Sequence, residues 1–61
     1  MPEDYKNHHF MPGQSVKVDN ALGQIVARGA TPGRYYVEVK FHASGKTQVF
    51  VNEQILRITR H

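Results

Sequence analysis

The sequence predicts one small all-β domain, a five-stranded barrel, and three observations predict it. From Ser15 onward, apolar and polar residues alternate with a period of two, the pattern of strands with one buried face. Turn signals rich in Gly, Pro, Asn and Asp separate the apolar runs. No stretch of about 10 residues combines a helical period with freedom from Gly and Pro. A barrel also suits so small a sheet, because closing it leaves few unpaired edge groups.

Residues 1–11 read as a flexible tail, polar and without period, and the barrel is assigned to residues 12–61. Pro12-Gly13 marks the turn into it. Val16 and Val18 alternate with Ser15 and Lys17 as the first strand. Asp19-Asn20 is a turn, and Gly23 opens a second strand over Gln24 to Arg28. Gly29 to Gly33 reads as a tight connection, with Pro32 presetting φ and Gly33 free to take a positive φ. Tyr35 to Phe41 is the clearest strand: Tyr35, Val37, Val39 and Phe41 lie on one face and Tyr36, Glu38 and Lys40 on the other. Ser44-Gly45 closes a hairpin, and Thr47 to Asn52 returns. Glu53 to Ile55 reads as one turn of 3₁₀ helix and Leu56 to Thr59 as a last short strand. The expected core is Val16, Val18, Ile25, Ala27, Tyr35, Val37, Val39, Phe41, Val49, Val51, Leu56 and Ile58.

Length constrains this design. A chain of 61 residues buries only about 60% of the surface its unfolded form exposes. Domains of that size usually need a disulfide, a metal or a partner chain. The chain has no cysteine, so disulfides and thiolate metal sites are excluded and self-association becomes the open route. The net charge of +3 permits an anionic partner, nucleic acid included. No apolar run approaches the roughly 20 residues that span a bilayer. The polar start, with Glu3, Asp4 and Lys6, does not have the pattern of a signal peptide, so a cytoplasmic location is expected.

Catalytic and metal chemistry find little support. His8, His9, His42 and His61 are the only imidazoles, and their spacing matches no structural zinc site. Ser15 and Ser44 sit in strand-edge or turn contexts without a nucleophile elbow. No paired carboxylates are evident. The informative segment is Thr47-Gln48-Val49-Phe50-Val51. If Val49 and Val51 point inward, Gln48 and Phe50 point outward. Together with Tyr36, and Val26 beside them, they would form a partly apolar patch of the kind that marks interaction surfaces. Lys17, Arg28 and Lys40, on outward positions of neighbouring strands, would add a basic stripe suited to phosphate contacts.

Two resemblances extend this reading. The succession Pro-Gly-Gln-x-Val-x-Val (12–18), Gly-Gln-Ile-Val (23–26), Tyr-x-Val-x-Val (35–39), an apolar strand and a final Ile-Leu-x-Ile (55–58) resembles the SH3-like barrel pattern shared by KOW domains. KOW domains often bind RNA or ribosomal and polymerase partners. More narrowly, Gly23 to Val26, Thr31-Pro32-Gly33 with Tyr35, Gly45-x-x-Gln48-Val49-Phe50 and Leu56-Arg57-Ile58 are similar to the plasmid-borne type II dihydrofolate reductases. That resemblance implies a homotetramer using NADPH, with Gln48, Val49 and Phe50 lining a central pore; the family's lysine that attracts the ligands' anionic groups aligns at Val18, and a one-residue slip would bring the adjacent Lys17 to the correct face. The chain departs from the family at Phe50, where the family has tyrosine, at Val18, where its lysine aligns, at Lys46, where it has serine, and in having no tryptophan. Such a pore would act by holding two ligands together, and the departures remove groups that hold them. The sequence therefore favours a non-enzymatic, self-associating SH3-like binding module without a cofactor. Its contact with protein or nucleic acid would run through Tyr36, Gln48, Phe50, Lys17, Arg28 and Lys40. The NADPH-dependent homotetrameric reductase is the alternative.

Overall fold

Short turns of known chemistry set the strand registers. A computed structural model describes residues 10–61. Its elements are β1 (Ser15–Val18), β2 (Ala21–Thr31), β3 (Arg34–Phe41), β4 (Thr47–Val51), a 3₁₀ helix (Asn52–Arg57) and β5 (Ile58–Arg60). Asp19 and Asn20 join β1 to β2 with φ of 49° and 72°. Two successive positive φ values are those of a type I′ hairpin turn, and Asp and Asn tolerate them better than most residues. Pro32-Gly33 joins β2 to β3, with Thr31 opposite Arg34 and Gly33 at φ 78°. Proline followed by a positive-φ glycine is the type II arrangement. The connection expected over residues 29–33 therefore shrinks to these two residues, and β2 runs on to Thr31.

The strands form one antiparallel sheet in the order β4-β3-β2-β1-β5. This meander, with a 3₁₀ helix ahead of the last strand, is an SH3-like barrel. The sheet curls without a ladder between β4 and β5, so both remain edges, and the helix bridges them. At the helix start, the Val51 N–H donates to Gln54 Oε1 at 3.0 Å, and the Tyr35 N–H donates to Asn52 Oδ1 at 2.9 Å.

The core holds Phe10, Val16, Val18, Ile25, Val37, Val39, Phe50, Ile55 and Ile58, with Tyr35 and Phe41 packed against it. Several expectations are corrected here. Phe10, assigned to the tail, is 1% exposed; residues 1–9 of that tail lie outside the described residues. Ala27 leaves the core side because β2 carries a bulge: Ile25 faces Val39, but Ala27 faces Glu38, so Val26 is the extra residue. A bulge changes which side chains share a face. Leu56 is exposed and Ile55 buried, because in a 3₁₀ helix residues three apart eclipse one another, which aligns Ile55 with Ile58. Val49 and Val51 are also excluded. In their place Phe50 is 1% exposed.

That last correction follows from the β3–β4 turn. The Phe41 N–H donates to the Lys46 carbonyl at 2.8 Å. The register then places Val39 opposite Gln48 and Val37 opposite Phe50. Directly opposed residues share a face, so Phe50 joins Val37 inside. Its ring meets Phe41 edge to face, with centroids 6.5 Å apart.

Phe10→Ala is expected to lose about 3 kcal/mol through lost transfer energy and a cavity, read as a fall in the urea midpoint. An unchanged midpoint would return Phe10 to the tail.

Candidate interaction face

With Phe50 inside, the outer face of β2, β3 and β4 has a different composition from the one expected. Its rungs are Gly29–Tyr36–Val51, then Ala27–Glu38–Val49, then Gln24–Lys40–Thr47. Val26, pushed out by the bulge, is 39% exposed, and Val49 is 48% exposed. Tyr36 and Val51 are half-buried. The face is thus apolar at one end, carries Glu38 in the middle and is polar at the other end.

Tyr36 owes its position to Gly29. A Cβ built on Gly29 would lie 2.6 Å from Tyr36 Cε2, so the ring lies flat over bare backbone. Aromatic cover of a cross-strand glycine buries peptide surface that no side chain would otherwise shield.

The six residues expected to form the binding face are not brought together. Tyr36, Lys17 and Lys40 lie on the outer side of their strands. Gln48 is exposed but belongs to the opposite side of β4, level with Val39. Phe50 is buried and unavailable for contact. Arg28 lies beyond the bulge, on the rung of Val37, so it does not extend a stripe from Lys17 and Lys40. In the alternative grouping, Lys17 is on β1 while Gln48, Val49 and Phe50 are on β4, with β2 and β3 between them in the sheet. The alternation rule could not have found Val49 and Val51 as the outward pair, because Val49-Phe50-Val51 is apolar throughout. The signal lay in the turn length.

Other surfaces offer less. An open groove between the β1–β2 and β3–β4 turns is lined by Leu22, Phe41 and Ala43, with His42 and Ser44 at its rim. Ser44 Oγ accepts the Lys46 N–H at 3.2 Å, so it serves the turn. Arg57 stacks 5.5 Å from the Phe50 ring centroid and also pairs with Asp19. Arg60 lies 5.1 Å from the centroid of Phe10. Among the described residues no three His, Asp or Glu side chains cluster as metal ligands, and His8 and His9 lie outside the described residues. Among the described residues no helix is long and apolar enough to cross a membrane.

No protein-family model, no curated protein and no solved structure matches the chain.

Phe50→Asp is expected to unfold the domain, because it buries an unpaired charge. At concentrations dilute enough to keep both chains monomeric, Val49→Lys should hold stability within about 0.5 kcal/mol, as an exposed strand position opposite Glu38 allows. Melting curves that rank the two variants the other way would overturn the assigned register. Gly29→Ala should displace the Tyr36 ring and shift its NMR signals while changing stability by less than about 1 kcal/mol.

Proposed function

We propose that the chain is a non-enzymatic SH3-like binding module that self-associates, using the outer face of β2–β3–β4 as its contact surface. The observation that carries this reading is the exposure of Val49 and Val26 beside half-buried Tyr36 and Val51 on one continuous face. Clustered exposed apolar residues mark interaction surfaces more often than solvent-facing ones. Chain length supports the same reading: 61 residues without cysteine have few other sources of added stability. A protein surface fits this face better than nucleic acid does. Lys17 and Lys40 share the outer side, but Arg28 does not join them, and Glu38 lies at the centre of the face. Phosphate backbones favour an uninterrupted basic surface.

One observation favours the reductase as a second reading. Gln48, at the position of the family's glutamine, is exposed on an edge strand, where copies arranged around a shared pore would present it. Buried Phe50 weighs against it, since that side chain cannot reach a ligand.

Light scattering across a concentration series, with and without NADPH, tests both readings. The binding module should exceed its 7.0 kDa chain mass and ignore NADPH. Val49→Lys should lower that mass toward the monomer. A tetramer that binds NADPH would instead support the reductase. A cofactor-blind monomer at all concentrations would refute self-association.

A further inference from the structure

The free edge of β4 shows how two copies would meet. Residues whose backbone groups point toward β3 are fixed by the bond from the Phe41 N–H to the Lys46 carbonyl. Hydrogen-bonded pairs alternate along an antiparallel ladder, so Gln48 and Phe50, opposite Val39 and Val37, also face β3. The backbone groups of Thr47, Val49 and Val51 therefore point away from the sheet. The Val51 N–H is taken by Gln54 Oε1. Among the described residues the Val49 N–H and carbonyl have no partner and stand at the centre of the open edge.

Natural edge strands are usually guarded by Lys, Pro, a bulge or very short length. Thr47-Gln48-Val49-Phe50-Val51 contains no charge and no proline, and its paired register with β3 is unbroken. Its composition is rich in strand-forming residues. The other edge differs: β5 is three residues long and includes Arg60. Only one of the two edges is thus unguarded.

Resting on the self-association proposed above, and narrowing its contact to the β4 border of the outer face, we infer that β4 pairs antiparallel with β4 of a second copy, about a two-fold axis at Val49. A second copy fits this edge because the outward residues Thr47, Val49 and Val51 are spaced symmetrically about Val49, so the edge is complementary to itself. With Val49 opposite Val49, each donates its N–H to the other's carbonyl, and Thr47 lies opposite Val51. A two-fold interface must be self-complementary in this way. The pairing also sets the two Val49 side chains side by side on the outer face, so the apolar surfaces of the two copies become continuous. Gln54 limits the ladder by withdrawing the Val51 N–H, which keeps the pairing short and reversible.

Val49→Pro tests the edge alone. It removes an N–H that makes no bond within the sheet and keeps an apolar side chain, and proline is tolerated on strand edges. The dimer dissociation constant should rise about 10- to 100-fold by sedimentation, from loss of the two reciprocal bonds. Circular dichroism confirms folding, and a synthetic chain carrying N-methyl-Val49 replaces the proline variant if it does not fold. Val26→Lys changes the face two strands away from the edge and should leave the mass at that of the dimer. If Val49→Pro or the N-methyl chain dimerises like wild type while Val26→Lys does not, the copies pack face to face. The edge inference is then overturned while outer-face self-association stands. A wild-type chain that stays monomeric overturns both.

Discussion

The backbone bond from Phe41 to the Lys46 carbonyl is the contact on which the rest of the molecule depends. It fixes the parity of β4, and parity in a strand is all-or-none. A slip of one residue would remove the Phe50 ring from the core and bury Val49 in its place. An aromatic ring fills far more volume than a valine, so the edge-to-face contact with Phe41 and the cover under Arg57 would both be lost. Burying a Phe side chain contributes about 1.5–3 kcal/mol, a large share of what so short a chain can hold. The same parity delivers Val49 and Val51 to the outside, beside Tyr36. The core and the composition of the outer face are two results of one register.

Two arginines complete the packing in a way that apolar residues alone do not. Arg57 and Arg60 lay their guanidinium groups over the rings of Phe50 and Phe10. Both rings are buried. A long cationic side chain can shield an aromatic face while its charge stays in water. Among the described residues the Arg57–Asp19 pair is half exposed, at 50% and 64%, and surface pairs of that kind add about 0–1 kcal/mol. Arg57 matters more here as a lid than as an ion.

Much of the fold was legible in the sequence. The alternation in β1 and β3 placed Val16, Val18, Val37 and Val39 inside, and the turn residues located each hairpin. The misplacements have separate physical causes. Val49-Phe50-Val51 carries no polar marker, so its parity is set by turn length and not by pattern. The bulge at Val26 shifts β2 by one residue without any Gly or Pro to announce it. A 3₁₀ period of three, running on to Arg57, exchanges Leu56 for Ile55. Phe10 lies in a polar stretch where a single aromatic has no neighbours to form a pattern. The site was less legible than the fold because exposure is the complement of packing: each error of parity in the core reappears as an error on the surface. Tyr36 survived because its strand alternates cleanly.

Phe10 and Arg60 meet at one corner of the barrel, where the His61 N–H also reaches the Ser15 carbonyl at 3.1 Å. The start of β1 and the end of β5 thus lie side by side. Such a domain can be spliced into a surface loop of another protein, or strung in tandem through short linkers, without unravelling a strand. A circular permutant closed between Phe10 and His61 could be opened at the exposed Pro32-Gly33 turn. The barrel is in that sense a portable unit, whose junction with other sequences lies at the β1–β5 side of the sheet and not at β4.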